Sequence, residues 1–97
     1  ENMSGEEDIA VTNFRRYLRI DTEQPNPKYY ECRDFLYSLA DELGWKRWEY
    51  ECVKGKPFVG MTIEGTDKSL KALLLYSHSD VVPTVKDAWK HDPYAAV

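Results

Sequence analysis

His78 and Asp80 form the pair in this sequence that is best suited to metal binding or catalysis. They are separated by one residue and directly follow an apolar run at residues 72–76. If the extended backbone of that run continues, residues two apart point to the same side, so the imidazole and the carboxylate share one face. Open α/β sheets place their reactive groups at such carboxyl ends of strands.

Three interpretations fit this pair. His78 is a metal ligand that Asp80 orients, the two residues belong to a hydrolytic relay, or they form a polar loop without chemistry. The spacing alone favours the polar loop, because so short a pattern often arises by chance. The case for a nucleophilic serine is weak, since neither Ser77 nor Ser79 lies in a Gly-x-Ser-x-Gly sequence.

Two helices and three strands are predicted to position the pair. A capping-box pattern at Ser4 and Glu7 predicts a helix over about residues 6–20, and apolar spacing predicts another over about residues 28–43, with Gly44 as its left-handed cap. Three strands follow. The first has Trp48, Tyr50 and Cys52 on its buried face and ends in a turn at residues 54–57. The second runs through Val59, Met61 and Ile63, and the third is the run at 72–76. The predicted fold class is α/β, a mixed sheet flanked by helices.

The run at residues 72–76 is apolar on both faces, which is typical of a central strand covered by helices on both sides. Both predicted helices precede the sheet, so part of the sheet would stay uncovered. We therefore expect residues 1–97 to form the N-terminal part of a single larger α/β domain, either truncated or completed by another chain.

The composition argues against several classes of partner. Thirteen basic and 17 acidic residues give a net charge of −4, which offers no footprint for nucleic acid or anionic lipid. No stretch approaches the apolar length of a membrane span, and the acidic start is unlike a signal peptide. Cys32 and Cys52 are too few for a disulfide framework, so we expect two free, mostly buried thiols in a reducing cytoplasm.

Residues 74–83, Leu-Leu-Tyr-Ser-His-Ser-Asp-Val-Val-Pro, together with Asp-Ala-Trp-Lys-His-Asp-Pro-Tyr at 87–94, resemble the first metal motif of the aminoacylase/carboxypeptidase family of zinc peptidases. The segment Phe-Arg-Arg-Tyr-Leu-Arg-Ile at 14–20, with Thr22, Gln24 and Pro25 after it, resembles the start of the family's aminoacylases. The resemblance covers nearly the whole of this chain, but only the first part of a family member.

This resemblance implies a zinc-exopeptidase-like catalytic domain that hydrolyses N-acyl-L-amino acids to a carboxylate and a free amino acid. It makes His78 the first zinc ligand and Asp80 the acidic residue that orients the histidine ring. Two zinc ions would polarise the acyl carbonyl and acidify a bridging water, whose proton a glutamate would take. It also implies a cytoplasmic enzyme that forms a homodimer.

The resemblance places the other metal ligands and the general base beyond Val97, so the isolated chain is expected to be inactive. Among nearby groups, Glu64, Asp87 and Asp92 are expected to be solvated or capping residues, and His91 is disfavoured as a further ligand. We expect Trp89 and Tyr94 to pack the following loop against the body of the protein rather than to line a substrate pocket. Two alternatives remain: a dipeptidase or carboxypeptidase of the same family, and a truncated, non-catalytic interaction module.

Overall fold

A computed structural model of the chain describes residues 6–97, which fall into two compact units. The first unit comprises the described residues up to Lys28 together with residues 80–97, and the second comprises residues 29–79. Ser4, and with it the predicted capping box, lies outside the described residues. Within residues 6–97, no helix combines the length and the apolar character that crossing a bilayer requires.

Helix α1 of the first unit spans Ile9–Leu18 and begins later than predicted. Its N-cap is Asp8, whose Oδ1 accepts a hydrogen bond from the backbone N–H of Ala10 at 2.8 Å. An aspartate in this position satisfies one of the amides that the first turn leaves unpaired, so the predicted start at residue 6 is wrong. No residue of α1 is buried, and its apolar side chains, Phe14 among them, stay largely exposed.

A short parallel pairing joins the two chain segments of the first unit. Glu23 and Val81 form an isolated parallel bridge. The backbone N–H of Gln24 donates to the carbonyl of Val81 at 2.9 Å, and the N–H of Val81 donates to the carbonyl of Thr22 at 2.9 Å. Ile20 and Thr22 are buried beside this pairing in sequence, so the segment that follows α1 contributes the buried residues of the unit.

The end of the chain is held by two arginines of the α1 region. The Arg15 guanidinium donates to the carbonyl of Ala96, and Arg19 Nε donates to the carbonyl of Ala95 at 3.3 Å. A 3₁₀ turn at Lys86–Ala88 lies between the parallel pairing and this tail. These contacts return residues 95–96 to the first helix of the same unit.

Helix α2 of the second unit spans Tyr29–Leu43, which confirms the predicted helix over about residues 28–43. Gly44 adopts a φ of 72°, the left-handed conformation expected of its cap. The N–H of Gly44 donates to the backbone carbonyl of Asp41 at 3.2 Å, and the N–H of Trp45 donates to the backbone carbonyl of Ala40 at 2.9 Å. This is the pattern of a Schellman motif. Cys32 and Ala40 are its buried residues.

Strands β1 (Lys46–Val53) and β2 (Lys56–Thr62) form an antiparallel hairpin that contacts α2. The turn falls at Lys54 and Gly55, as predicted, and Gly55 has a φ of 86°. The Glu51 carboxylate fixes this turn by accepting from the N–H of Gly55 at 2.6 Å and from the hydroxyl of Tyr30 at 2.5 Å.

The predicted buried face of the first strand is wrong. Every residue of β1 is exposed, and Trp48 and Tyr50 keep 49% and 66% of their surface accessible. Alternation of apolar and polar residues selects a face, but burial also needs a surface that covers that face. A two-stranded hairpin with one helix is too small to cover side chains of this size.

The predicted third strand is also wrong. Residues 72–76 form no strand, and within residues 6–97 no strand hydrogen-bonds to them. Leu73, Leu74, Leu75 and Tyr76 are 80–84% exposed. A run that is apolar on both faces needs pairing on its edges and cover on its faces, and the described residues supply neither. The two helices and the antiparallel hairpin are compatible with the α/β class, whereas the part of the chain that the structure describes does not form the predicted mixed sheet.

We expect Gly60→Ala to destabilise the hairpin. Gly60 pairs with Trp48 across the two strands, and a Cβ at position 60 would lie 2.0 Å from a carbon of the indole ring. The ring would have to leave its place, at a cost of about 1–3 kcal/mol. Urea unfolding of the variant should report this loss. Gly65→Ala is the matched control, because a Cβ there meets nothing within 4 Å; an equal loss in both variants would contradict the contact.

Candidate active site

His78 lies in the second unit, at the end of the exposed apolar segment, and is itself exposed. The backbone next to it is tied to α2, because the side chain of Ser79 hydrogen-bonds with Cys32. Burial raises the pKa of the Cys32 thiol, and the bond with Ser79 acts in the opposite direction. A buried thiol with a raised pKa is unreactive and packs as a small apolar group.

Both cysteines are free, as predicted, but only Cys32 is buried and Cys52 is exposed on β1. The expectation that both thiols are mostly buried is therefore wrong for Cys52. The reason is again the small hairpin, which leaves its apolar face open to solvent.

Asp80 lies in the first unit and is half-buried. Its Oδ2 accepts a hydrogen bond from the side-chain amide of Gln24, with 3.0 Å between Nε2 and Oδ2. Its neighbour Val81 is the residue held by the parallel pairing with Thr22 and Gln24. The carboxylate therefore sits on a backbone whose position is fixed by main-chain hydrogen bonds, and its own oxygen is held by a side chain from the opposite segment.

Glu23 lies at the centre of a cluster of hydrogen bonds, although the sequence did not identify it as a candidate site residue. Its carboxylate accepts from the backbone N–H of Thr84 at 2.5 Å, from the Thr84 hydroxyl at 3.1 Å and from the Tyr94 hydroxyl at 3.0 Å. The bond from the Thr84 N–H, followed by that from Tyr94, lowers the pKa of Glu23. Burial and this carboxylate together raise the pKa of Tyr94. No local pattern reveals the cluster, because its members lie 61 and 71 residues apart.

The two aromatic residues predicted to pack the loop behave differently. Tyr94 is half-buried and bound to Glu23, which confirms its packing role. Trp89 keeps 55% of its surface exposed, so the prediction is wrong for this residue.

The other candidate ligands near the motif have ordinary surroundings. Glu64 pairs with Lys46 and Lys68, each at 2.7 Å, and the hydrogen bonds from these two lysines lower its pKa. Asp92 caps a turn by accepting from the N–H of Tyr94 at 2.8 Å. Asp87 and His91 are exposed. The structure thus confirms the capping role of Asp92 and the solvated positions of Glu64 and Asp87.

The described residues do not by themselves make a zinc centre. A catalytic zinc ion takes three protein ligands, and within residues 6–97 no three His, Cys, Asp or Glu side chains gather closely enough to hold a metal ion. His78 and Asp80 belong to separate units. Imidazole and carboxylate are both donor types that zinc accepts.

We expect the Glu23 cluster to make stability depend on pH. A carboxylate with a lowered folded-state pKa contributes stability that is complete above its ordinary pKa of 4.5 and is lost as the pH falls through the folded value. Glu23→Gln should therefore be less stable than the parent at about pH 7, and the difference should narrow at about pH 3, as measured by urea unfolding. Tyr94→Phe should weaken the same dependence, whereas the exposed Tyr76→Phe should not. An equal deficit for Glu23→Gln at both pH values would contradict the contribution of the carboxylate.

Comparison with curated proteins finds close relatives along nearly all of the chain. Aminoacylase-1 of Mus musculus is 47% identical over 90% of this chain, and aminoacylase-1 of Dictyostelium discoideum is 44% identical over 94% of it. A Cys-Gly metallodipeptidase of Schizosaccharomyces pombe is 30% identical over 97% of the chain. No family model matches the sequence. The chain spans about a fifth of the length of these relatives, 21–22% in each case.

The matches bear directly on the candidate residues. Only about a tenth of the chain lies outside the Mus musculus match, so positions 78 and 80 fall within it. Two aminoacylases from distant organisms match at nearly the same identity, and a metallodipeptidase matches more weakly. The predicted resemblance is therefore confirmed: over nine-tenths of its own length, this chain is similar to aminoacylase-1 of two organisms.

Proposed function

We propose that this chain supplies part of the active site of a zinc-dependent amide hydrolase that cleaves N-acyl-L-amino acids into a carboxylate and a free amino acid. The observation that carries the proposal is the 43–47% identity to aminoacylase-1 over nine-tenths of the chain, a match whose range includes positions 78 and 80. Residues 1–97 would form the N-terminal part of a single catalytic domain of the α/β, zinc-exopeptidase-like type.

The roles of the two motif residues follow from their chemistry. A neutral imidazole is among the commonest metal ligands, and His78 is exposed in this structure. A ligating histidine usually donates its second ring N–H to a carboxylate or a carbonyl, which fixes its tautomer and orientation. We assign Asp80, two residues further along the chain, to this orienting role. Two zinc ions, their other ligands and the general base would depend on residues outside this sequence or on another chain.

The exposed apolar segment supports an incomplete site. Leu73, Leu74, Leu75 and Tyr76 lie immediately before the motif and remain 80–84% exposed. A contiguous apolar surface of this kind marks a place where further protein packs. We propose that the rest of the catalytic domain covers it, pairs with the segment as a strand and brings the missing ligands to His78.

Further proposed features of the enzyme concern its compartment, its partners and its oligomeric state. Free Cys32 and Cys52 suit a reducing compartment, so we propose a cytoplasmic enzyme. A net charge of −4 provides no electrostatic basis for a nucleic-acid partner or for attraction to an anionic membrane surface. A homodimer is proposed on the family resemblance alone.

A dipeptidase is the second candidate function, because the Cys-Gly metallodipeptidase covers 97% of the chain. Its identity of 30% is well below the 43–47% of the aminoacylases, so the N-acyl substrate is favoured. A non-catalytic interaction module, the third alternative, would give His78 and Asp80 no role.

His78→Ala in the complete enzyme should lower hydrolysis of N-acetyl-L-methionine by at least about 100-fold and reduce the bound zinc. The reason is the loss of a metal ligand. Turnover by a colorimetric amine assay and metal content by mass spectrometry would measure both effects. His91→Ala is the matched control, since it removes an exposed histidine of the same region.

Unchanged zinc content and turnover in His78→Ala would remove this residue from the site. Hydrolysis of Cys-Gly in preference to N-acetyl-L-methionine by the parent enzyme would instead favour the dipeptidase.

We expect the isolated 97-residue chain to show no hydrolysis of N-acetyl-L-methionine, even with added zinc. Its described residues contain no group of three ligands for a metal ion, and a catalytic zinc needs such a group. The complete enzyme, assayed beside it at equal concentration, is the positive control. Turnover by the isolated chain that disappears with a chelator would show that this ligand count is wrong.

A further inference from the structure

We propose that Gln24 is a positioning residue for Asp80, whose carboxylate it holds through a hydrogen bond from its side-chain amide. The distance between Gln24 Nε2 and Asp80 Oδ2 is 3.0 Å, and both residues are half-buried. The catalytic importance of this contact rests on the proposed function, because that function gives Asp80 its role. The contact itself lies wholly within the first unit.

Main-chain hydrogen bonds fix the backbone of Gln24 next to the segment that carries Asp80. Its N–H donates to the carbonyl of Val81 at 2.9 Å, and the N–H of Val81 donates to Thr22 at 2.9 Å. Thr22 is buried, with 6% of its surface accessible. Gln24 therefore reaches Asp80 from a segment that is already hydrogen-bonded to the residue directly after Asp80. These backbone bonds limit the positions from which the Gln24 side chain reaches Asp80.

The Glu23 side chain binds the segment that carries Asp80 at a second point, four residues further along the chain. Its carboxylate binds the N–H and hydroxyl of Thr84, while Gln24 binds Asp80. Two consecutive side chains thus hold residues 80 and 84 of the opposite segment, with the backbone bonds to Val81 between them. This arrangement fixes the position of Asp80 and the direction of its carboxylate together.

The chemical type of Gln24 suits this task. A primary amide donates a hydrogen bond to a carboxylate but carries no charge, so it restrains the group without forming an ion pair. A carboxylate has two oxygens, and the lone pairs of each can accept hydrogen bonds. An orienting carboxylate must present those lone pairs in a constant direction, and a donor on one oxygen limits its rotation.

A double-mutant cycle in the complete enzyme tests whether Gln24 acts through Asp80. Gln24→Met keeps the approximate length of the side chain and removes its donor. We expect it to lower kcat for N-acetyl-L-methionine about tenfold, the scale of one hydrogen bond to a charged group, with a much smaller change in KM. In an Asp80→Asn background the same change should reduce the residual kcat by less than about twofold. An equal factor in both backgrounds would overturn the proposal, because it would show an effect independent of Asp80.

Asp87→Asn provides the matched background. Asp87 is an exposed aspartate of the same unit. Gln24→Met should cost about the same tenfold in kcat there as in the parent enzyme. A reduced cost in this background would also count against the proposal, since the loss of coupling would then not be specific to Asp80.

A spectroscopic measurement separates this proposal from the proposed function. In ¹⁵N-labelled complete protein, the side-chain amide signal of Gln24 is identified by its absence in Gln24→Met. We expect that signal to shift in Asp80→Asn and to stay in place in Asp87→Asn. If the protein hydrolyses no acyl amino acid but the shift is present, the proposed function fails and the Gln24–Asp80 contact stands. If Asp80→Asn leaves the signal in place, the positioning role is overturned whatever the activity.

Discussion

The hydrogen bonds between Val81 and the segment at Thr22–Gln24 are the constraint on which the first unit depends. They join two parts of the chain that are far apart in sequence, and they place Glu23 and Gln24 where both side chains meet the segment that carries Asp80. Main-chain hydrogen bonds of this kind satisfy groups that are costly to leave unpaired. The order that they impose reaches the end of the chain, because Glu23 also binds Tyr94.

The second unit depends on more local interactions, and these were the features that the sequence predicted best. The apolar spacing and the glycine cap identified α2 and its end at Gly44, since both signals act within a few residues. The turn at Lys54–Gly55 was predicted for the same reason. The features of this unit that were predicted wrongly depend on distant partners. The run at 72–76 has strand composition, but a strand exists only when another strand pairs with it, and the large side chains of β1 stay exposed because little packs over them.

The candidate site likewise combines residues that a local pattern predicted with contacts that depend on residues far apart in sequence. His78 and Asp80 were predicted from a short pattern whose neighbours resemble a known motif. The contacts of Asp80 were not predictable, because Gln24 lies 56 residues away and its segment is recognisable only as a proline-rich end to a helix. Glu23 gave no signal at all. A carboxylate in a loop is ordinary in sequence, and only the fold shows that it binds Thr84 and Tyr94.

The central claim is that the imidazole of His78 binds a zinc ion in the complete enzyme, with ligands that this chain does not supply. Anomalous diffraction at the zinc absorption edge, from crystals of the complete protein, would test it most directly. We expect an anomalous peak about 2.0–2.1 Å from a ring nitrogen of His78. A zinc peak coordinated entirely by other residues, with the His78 ring outside bonding distance, would contradict it.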